Sequence, residues 1–318
     1  MIAILGVVAI RLMPSISKIV SSFNSMHFAF NSLDTVFAIV GGVTGNLHKG
    51  ATIPVTAPCH DASPIRLDKV SFRYESGEKD ILKDFSLTIP PHAITAFVGE
   101  TGTGKSTLID IVMGLLLPKM GNVYYGKFMI NAENVDIYRT KIGYVPQTIT
   151  LIDETITANI AFGLPLSSVD DEKLRHAVDL AQLTEFIDEL PDSLQTVVGE
   201  RGVRISGGQR QRIGIARALY RDPEILVFDE ATSALDIHTE EKVYQAIKGL
   251  NKTVIMVTHR PTTIAFADMI YVLEEGVISE QGTYRELCEQ SQYFKSLISS
   301  NYSKLKDVKI PDSTGFCG

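Results

Sequence analysis

One stretch constrains this chain more than any other: Gly99-Glu100-Thr101-Gly102-Thr103-Gly104-Lys105-Ser106-Thr107. It fits the phosphate-loop pattern G-x-x-x-x-G-K-[ST], and its flanks supply the context that pattern needs. Before it, Ala93-Ile94-Thr95-Ala96-Phe97-Val98 is a short apolar, β-prone run that reads as a buried strand. After it, residues 106 to 116 have helical composition, with Leu108, Ile109, Ile111, Val112 and Leu115 apolar. The glycines let the backbone fold around a polyphosphate, so that successive N–H groups and the positive helix end face it. Lys105 adds a point charge at the β- and γ-phosphates, and the Ser106 hydroxyl can ligate Mg²⁺.

The 318 residues suffice for one large domain or two ordinary ones, and 45% hydrophobic with 21% charged residues describes a chain that buries a sizeable core. A net charge of -7 gives no support for a nucleic-acid partner, which would bring a basic face. Cys59, Cys288 and Cys317 are far apart, odd in number and without a C-x-x-C. That spacing suits a reducing compartment and argues against a disulfide framework or a structural zinc site.

Residues 1 to 10 are almost entirely apolar, and Arg11 then interrupts. The run is short of the roughly 20 apolar residues that a spanning helix needs, and it is a poor signal peptide because its charge follows the apolar stretch. From residue 15 to 40, Ile16, Ile19, Val20, Phe23, Met26, Phe30, Leu33, Phe37 and Val40 recur at threes and fours, the pattern of an amphipathic helix. Two readings stay open for it: a core or docking helix, or the cytoplasmic end of a membrane helix. Residues 41 to 64, with Gly41, Gly42, Gly45, Pro54, Pro58 and Pro64, read as a linker, and a domain begins near Ile65.

Within that domain, residues 67 to 74 and 81 to 89 read as antiparallel strands, and Tyr74 closes the first with an aromatic ring able to stack on a purine. Short strands follow over 121 to 130. Ile142-Gly143-Tyr144-Val145 is another strand, which stops at Pro146 and sets Gln147 on a loop within reach of a metal or its water. Residues 170 to 187 are mostly helical. Ser206 and Gln209 make a capping-box arrangement for the next helix, and Gly207 and Gly208 leave its start bare, a second anion-competent helix end. Ile225-Leu226-Val227-Phe228 is an apolar strand that ends in Asp229 and Glu230, paired acids that repel unless a cation lies between them. Asp229 is placed to hold Mg²⁺ through water, and Glu230 to act as general base on an attacking water. A helix over 238 to 250 and a buried strand over 253 to 257 then deliver His259 to a γ-phosphate. Strands alternating with helices, with functional groups at strand C-terminal ends, predict an α/β domain with a mainly parallel sheet.

These elements, in this order, resemble the nucleotide-binding domain of an ABC transporter over residues 65 to 300. Tyr74 matches the adenine-loop aromatic, Gly99 to Thr107 Walker A, Gln147 the Q-loop, and Ile205-Ser206-Gly207-Gly208-Gln209 the signature. Ile225 to Glu230 match Walker B, Ser233-Ala234-Leu235-Asp236 the D-loop, and His259 the switch histidine. Ile205 stands where the family usually has leucine, a volume-conserving change expected to be silent. Gly199-Glu200-Arg201-Gly202 is similar to the X-loop of exporters, and Arg11 to Ile16 show a local likeness to exporters that flip lipid-linked oligosaccharides.

The resemblance implies a P-loop fold with a mainly parallel core sheet, an antiparallel β subdomain and a helical subdomain. Ahead of it stands the remnant of a membrane domain over residues 1 to 40, and a polar tail over 301 to 318 follows. It implies ATP and Mg²⁺ as cofactors, with ATP lying on the Walker A loop of one protomer. Ser206, Gly207, Gly208, Gln209 and Asp236 of a second ATPase domain would close the site, in a homodimer or with a homologous half-transporter. Ser106, Gln147 and Asp229 would hold the metal, Glu230 would activate water, and Lys105 and His259 would meet the phosphates. It further implies transmembrane helices largely absent from this chain and a position on the cytoplasmic face of the cell membrane. Three rivals stand beside it: a soluble ABC-family ATPase outside transport, a nucleotide-binding module that does not transport, and, as the weakest, a small-molecule kinase.

Overall fold

The computed structural model describes residues 11–26 and 63–302 apart from 24, 76, 78 and 200–204, and the backbone alone of 300–302. The chain divides into two units, Met1–Pro58 and Cys59–Gly318. In the first, the described residues form a helix with Leu12, Met13, Ile16, Ile19, Val20, Phe23 and Met26 exposed, as the three-and-four spacing predicts. Among the described residues no helix is long and apolar enough to cross a membrane. The rest of the predicted N-terminal helix, the linker up to residue 62, most of the exporter-like loop at 199–202 and the tail beyond residue 302 lie outside the described residues.

The second unit is built on three sheets. The largest takes β3 (Ile94–Val98), β6 (Ile142–Val145), β9 (Ile225–Asp229), β10 (Thr253–Val257), β11 (Met269–Glu274) and β12 (Val277–Gly282) in the order β12-β11-β3-β10-β9-β6. Every pairing in it is parallel except the β11–β12 hairpin. β3 and β10 are buried at every residue, the reading of strands covered on both faces. Alternation then sorts their side chains between two cores. Ala96, Phe228, Met256 and Val272 point into one core, and Phe97, Val227, Ile255 and Tyr271 into the other.

The second core is closed by the helix after the phosphate loop, Lys105–Val112, and by an antiparallel sheet of β1 (Ile65–Phe72), β2 (Leu82–Ile89), β4 (Met120–Tyr125) and β5 (Phe128–Ile130), ordered β2-β1-β4-β5. The first core is covered by a helical layer in which Ile156–Ile160 and Asp171–Leu180 pack on Gly207–Tyr220. A two-stranded ribbon of β7 (Glu154–Thr155) and β8 (Val197–Val198) borders that layer.

Two element boundaries differ from the sequence expectation. The phosphate-loop helix ends at Val112 rather than near 116, because Gly114 takes a φ of 69° and leaves Leu115 half exposed. The helical stretch over 170 to 187 is two helices, Asp171–Leu180 and Thr184–Asp188, broken where Gln182 turns left-handed at φ 57°. Cys288 is disulfide-bonded, although the cysteine spacing argued for a reducing compartment and against a disulfide framework; linear spacing says little about which sulfurs a fold brings within bonding range.

Candidate functional site at the strand C-terminal ends

The strand order explains why the predicted chemistry gathers in one place. β9 lies between β6 and β10; it ends in Asp229, and the loops that follow β9, β6 and β10 carry Glu230, Gln147 and His259 respectively. The phosphate loop follows β3, the next strand across. Groups separated by more than a hundred residues therefore converge on one edge of a parallel sheet, as such sheets dispose ligand sites.

Glu230 is at the centre. Gln147 Nε2 donates to its Oε2 at 2.7 Å, and His259 Nε2 lies 2.6 Å from its Oε1. Its backbone takes a φ of 49°, a left-handed conformation that costs a non-glycine residue and recurs at functional positions. The strained turn is held by the Glu230 N–H donating to the Val257 carbonyl at 2.9 Å, a bond to the end of β10.

Asp229 is half-buried and carries a neighbour that the sequence reading passed over. Burial, then Glu230 and Asp110, push its carboxyl above the usual range, while a hydrogen bond from Tyr144 and the charge of Lys105 pull it back. The Tyr144 hydroxyl is pushed up to about 12, by burial first and then by Asp229 and Asp110, so at neutral pH it stays a donor to Asp229. Tyr144 was legible as a strand residue three positions before Gln147; the β6–β9 register sets it opposite Val227, two residues before Asp229, where its hydroxyl hydrogen-bonds that carboxylate.

In the phosphate loop, Gly99, Gly102 and Gly104 have φ values of 152°, 87° and 98°. A Cβ on Gly99 would stand 2.4 Å from the Leu273 carbonyl oxygen, so the loop lies against β11 only because that side chain is missing. Lys105 Nζ donates to the Gly99 carbonyl at 2.8 Å and to that of Glu100 at 2.6 Å. Burial lowers its pKa, and Glu230, Asp229 and Glu100 oppose that shift. Thr103 Oγ1 donates to the Glu100 carbonyl at 3.0 Å. Thr101 and Ser106 are exposed and Thr107 is buried, its Oγ1 3.4 Å from the Tyr74 hydroxyl. Tyr74 stands two residues past the end of β1, edge-on to Phe72, beside a cleft of about 840 Å³ that Arg73, Glu75 and Lys119 also line.

The start of the helix Gly207–Tyr220 carries the predicted capping box: Gln209 N–H donates to Ser206 Oγ at 3.1 Å, and the Ser206 N–H to Gln209 Oε1 at 2.7 Å. Gly207 and Gly208 face Ala234, which fixes this helix start beside the turn after Glu230. Buried Gln211 completes the joint. Its Nε2 donates to Ser233 Oγ at 3.1 Å, and its Oε1 accepts from the Ala234 N–H at 2.8 Å. Asp236 spends its carboxylate as an N-cap, accepting from the Thr239 N–H at 3.0 Å.

These residues fit a nucleotide and a hard cation. The glycine loop presents backbone and a lysine where phosphates would need them, and the half-buried Asp229 and Glu230 are adjacent acids that Lys105 faces, an arrangement suited to a cation. Among the described residues no three His, Cys, Asp or Glu side chains cluster as a metal cage. Mg²⁺ does not require one, since it keeps waters and takes one or two protein oxygens together with substrate phosphates.

Comparison with known proteins agrees with this geometry. Residues 82–233 match the family model described as ABC transporter. The chain is 41% identical over 240 residues to an uncharacterized ABC transporter ATP-binding protein, YfiB, of Bacillus subtilis, covering 76% of this chain and 42% of that protein. It is 42% identical over 250 residues to the mitochondrial iron-sulfur clusters transporter ATM1 of Candida glabrata, covering 76% and 34%. A solved structure of a bacterial Atm1-family ABC exporter with ATP bound superposes with a TM-score of 0.71 at 32% identity, over 82% of this chain and 45% of that one. The chain thus spans less than half the length of these relatives.

Proposed function

Because this chain carries an ABC transporter ATP-binding domain, we propose that it binds ATP with Mg²⁺, hydrolyses it, and serves as the motor part of an exporter. The observation that carries the reading is the double hold on Glu230 by Gln147 and His259 at the ends of three adjacent strands. In this reading the Gly99–Thr107 backbone and Lys105 cradle the phosphates, and Tyr74 stacks on the base. Ser106, Gln147 and Asp229 hold Mg²⁺, which when bound neutralises charge on the β- and γ-phosphates. Glu230 takes the proton of the attacking water, and His259 positions Glu230 and the γ-phosphate. Tyr144 keeps the Asp229 carboxylate oriented.

The second half of each ATP site comes from another ATPase domain, through Ser206, Gly207, Gly208, Gln209 and Asp236. Residues 1 to 40 join the domain to membrane helices, residues 41 to 64 form the linker, and the ATPase domain faces the cytoplasm. The names of the relatives support export, and the cargo is set by segments outside this chain.

Replacing Glu230 by glutamine tests the chemistry. The expected outcome is a fall in hydrolysis of about 10²–10⁴-fold with ATP binding retained. Near-normal turnover in that variant would remove Glu230 from the mechanism. ATP binding by the wild-type chain with no hydrolysis at any concentration would leave a nucleotide-binding module instead.

A further inference from the structure

A second polar cluster lies immediately behind the site, and the hydrolysis chemistry does not use it. Glu240, on the helix Ile237–Lys248, is 1% exposed. Its Oε1 accepts from Thr232 Oγ1 at 2.5 Å and Thr263 Oγ1 at 2.6 Å. Its Oε2 accepts from Arg260 Nη1 at 2.8 Å and from Thr262 Oγ1 at 3.5 Å. The same guanidinium reaches past the carboxylate to the backbone. Nη1 donates to the Thr232 carbonyl at 3.0 Å, and both Nη1 and Nη2 donate to the Leu235 carbonyl at 3.2 Å.

Two of the segments tied together here belong to the site. Arg260 follows His259 directly, so its fork is anchored one peptide bond from the ring that meets Glu230. Thr232 and Leu235 belong to the turn that follows Glu230, whose other side is held by Gln211. Arg260 is thus a strut between the His259 backbone and the 232–236 turn, and Glu240 is its buried footing. A buried ion pair adds little net stability, because desolvating both charges offsets most of their attraction. A planar fork on two carbonyls and a carboxylate does, however, fix direction better than any apolar contact of the same volume.

We infer that Arg260 and Glu240 are positioning residues for hydrolysis: together they set His259 against Glu230 and lock the 232–236 turn in the same motion. The inference rests on the ATPase reading above. It predicts that loss of the pair lowers kcat while leaving nucleotide binding in place, since neither side chain touches the phosphate loop in the contacts described.

The test uses the full chain with MgATP, and compares Arg260→Gln, Arg260→Lys, Glu240→Gln and the double variant Glu240→Gln/Arg260→Gln, which leaves no buried charge unpaired. Thermal unfolding and ATP binding are measured beside kcat and KM. The expected result is a kcat reduced about 10- to 100-fold in Arg260→Gln and in the double variant, with KM within about threefold of wild type. Arg260→Lys, which keeps the charge but loses the fork, should recover part of the rate. A folded double variant with wild-type kcat would overturn the proposal. So would a set of variants that lose stability and nucleotide binding together, since the pair would then serve folding alone. A wild-type chain without turnover would instead strike the ATPase reading itself, and Glu230→Gln, run in parallel, tells the two failures apart.

Discussion

At the residue scale, the groups whose roles follow from their own chemistry were the ones legible in the sequence. A lysine after a glycine loop, two acids at the end of an apolar strand and a histidine ending another announce themselves by type and spacing. Tyr144, Gln211, Glu240 and Arg260 do not, because each acquires its role from a partner that only the tertiary fold supplies. Gln211 shows the difference. Within its helix it is one more good helix former, yet in the fold it bonds both Ser233 and the Ala234 N–H. Gln211→Ala would remove the acceptor of that N–H in a partly buried joint, at a cost of about 0.5–1.5 kcal/mol. Chemical denaturation would show the loss as a lower midpoint at unchanged m-value; an unaltered midpoint would mean that water or a neighbour replaces the amide.

At the scale of elements, β3, β6, β9 and β10 were foreshadowed by apolar runs, whereas β11, β12 and two helix boundaries were not. The two corrections, at Gly114 and Gln182, both lie where a single left-handed residue ends a helix whose apolar pattern continues past it. Composition carries no record of that backbone choice for a residue such as glutamine. Caps were easier, because the capping side chain is itself diagnostic. Asp236 is an example with a pH signature. Two hydrogen bonds involving Thr239, backbone first, hold its carboxyl below the usual carboxylate range. A depressed carboxyl contributes stability that is fully present above the unfolded value and lost as pH falls through the folded one. Asp236→Ala is therefore expected to cost about 0.5–2 kcal/mol at neutral pH, and the gap to wild type should close as pH falls below the usual carboxylate range. Equal gaps at pH 7 and in acid would assign the loss to something other than the charged cap.

At the scale of the whole molecule, the helix start at Ser206 is packed on the 232–236 turn of its own chain, and its bare glycines are the feature that the proposed second ATPase domain explains. Ser206→Arg puts a long cation there. If two chains complete each site, wild-type turnover per chain rises with protein concentration, and the variant loses that rise. Turnover that is independent of concentration and survives the substitution would leave the signature without a part in the site.

The grip on Glu230 has a mechanical meaning as well. Its two oxygens are held by side chains from loops on either side of β9, so the carboxylate spans the gap between the loops that follow β6 and β10. Hydrogen bonds of this length weaken steeply once the heavy atoms part by about an ångström. Any load that draws the Gln147 loop away from β10 must release one oxygen before it disturbs the sheet, and a released oxygen is open to a new donor such as water. Glu230 is in that sense a strain gauge: it converts a small displacement at the sheet's edge into a change in the hydrogen-bond partners of one carboxylate.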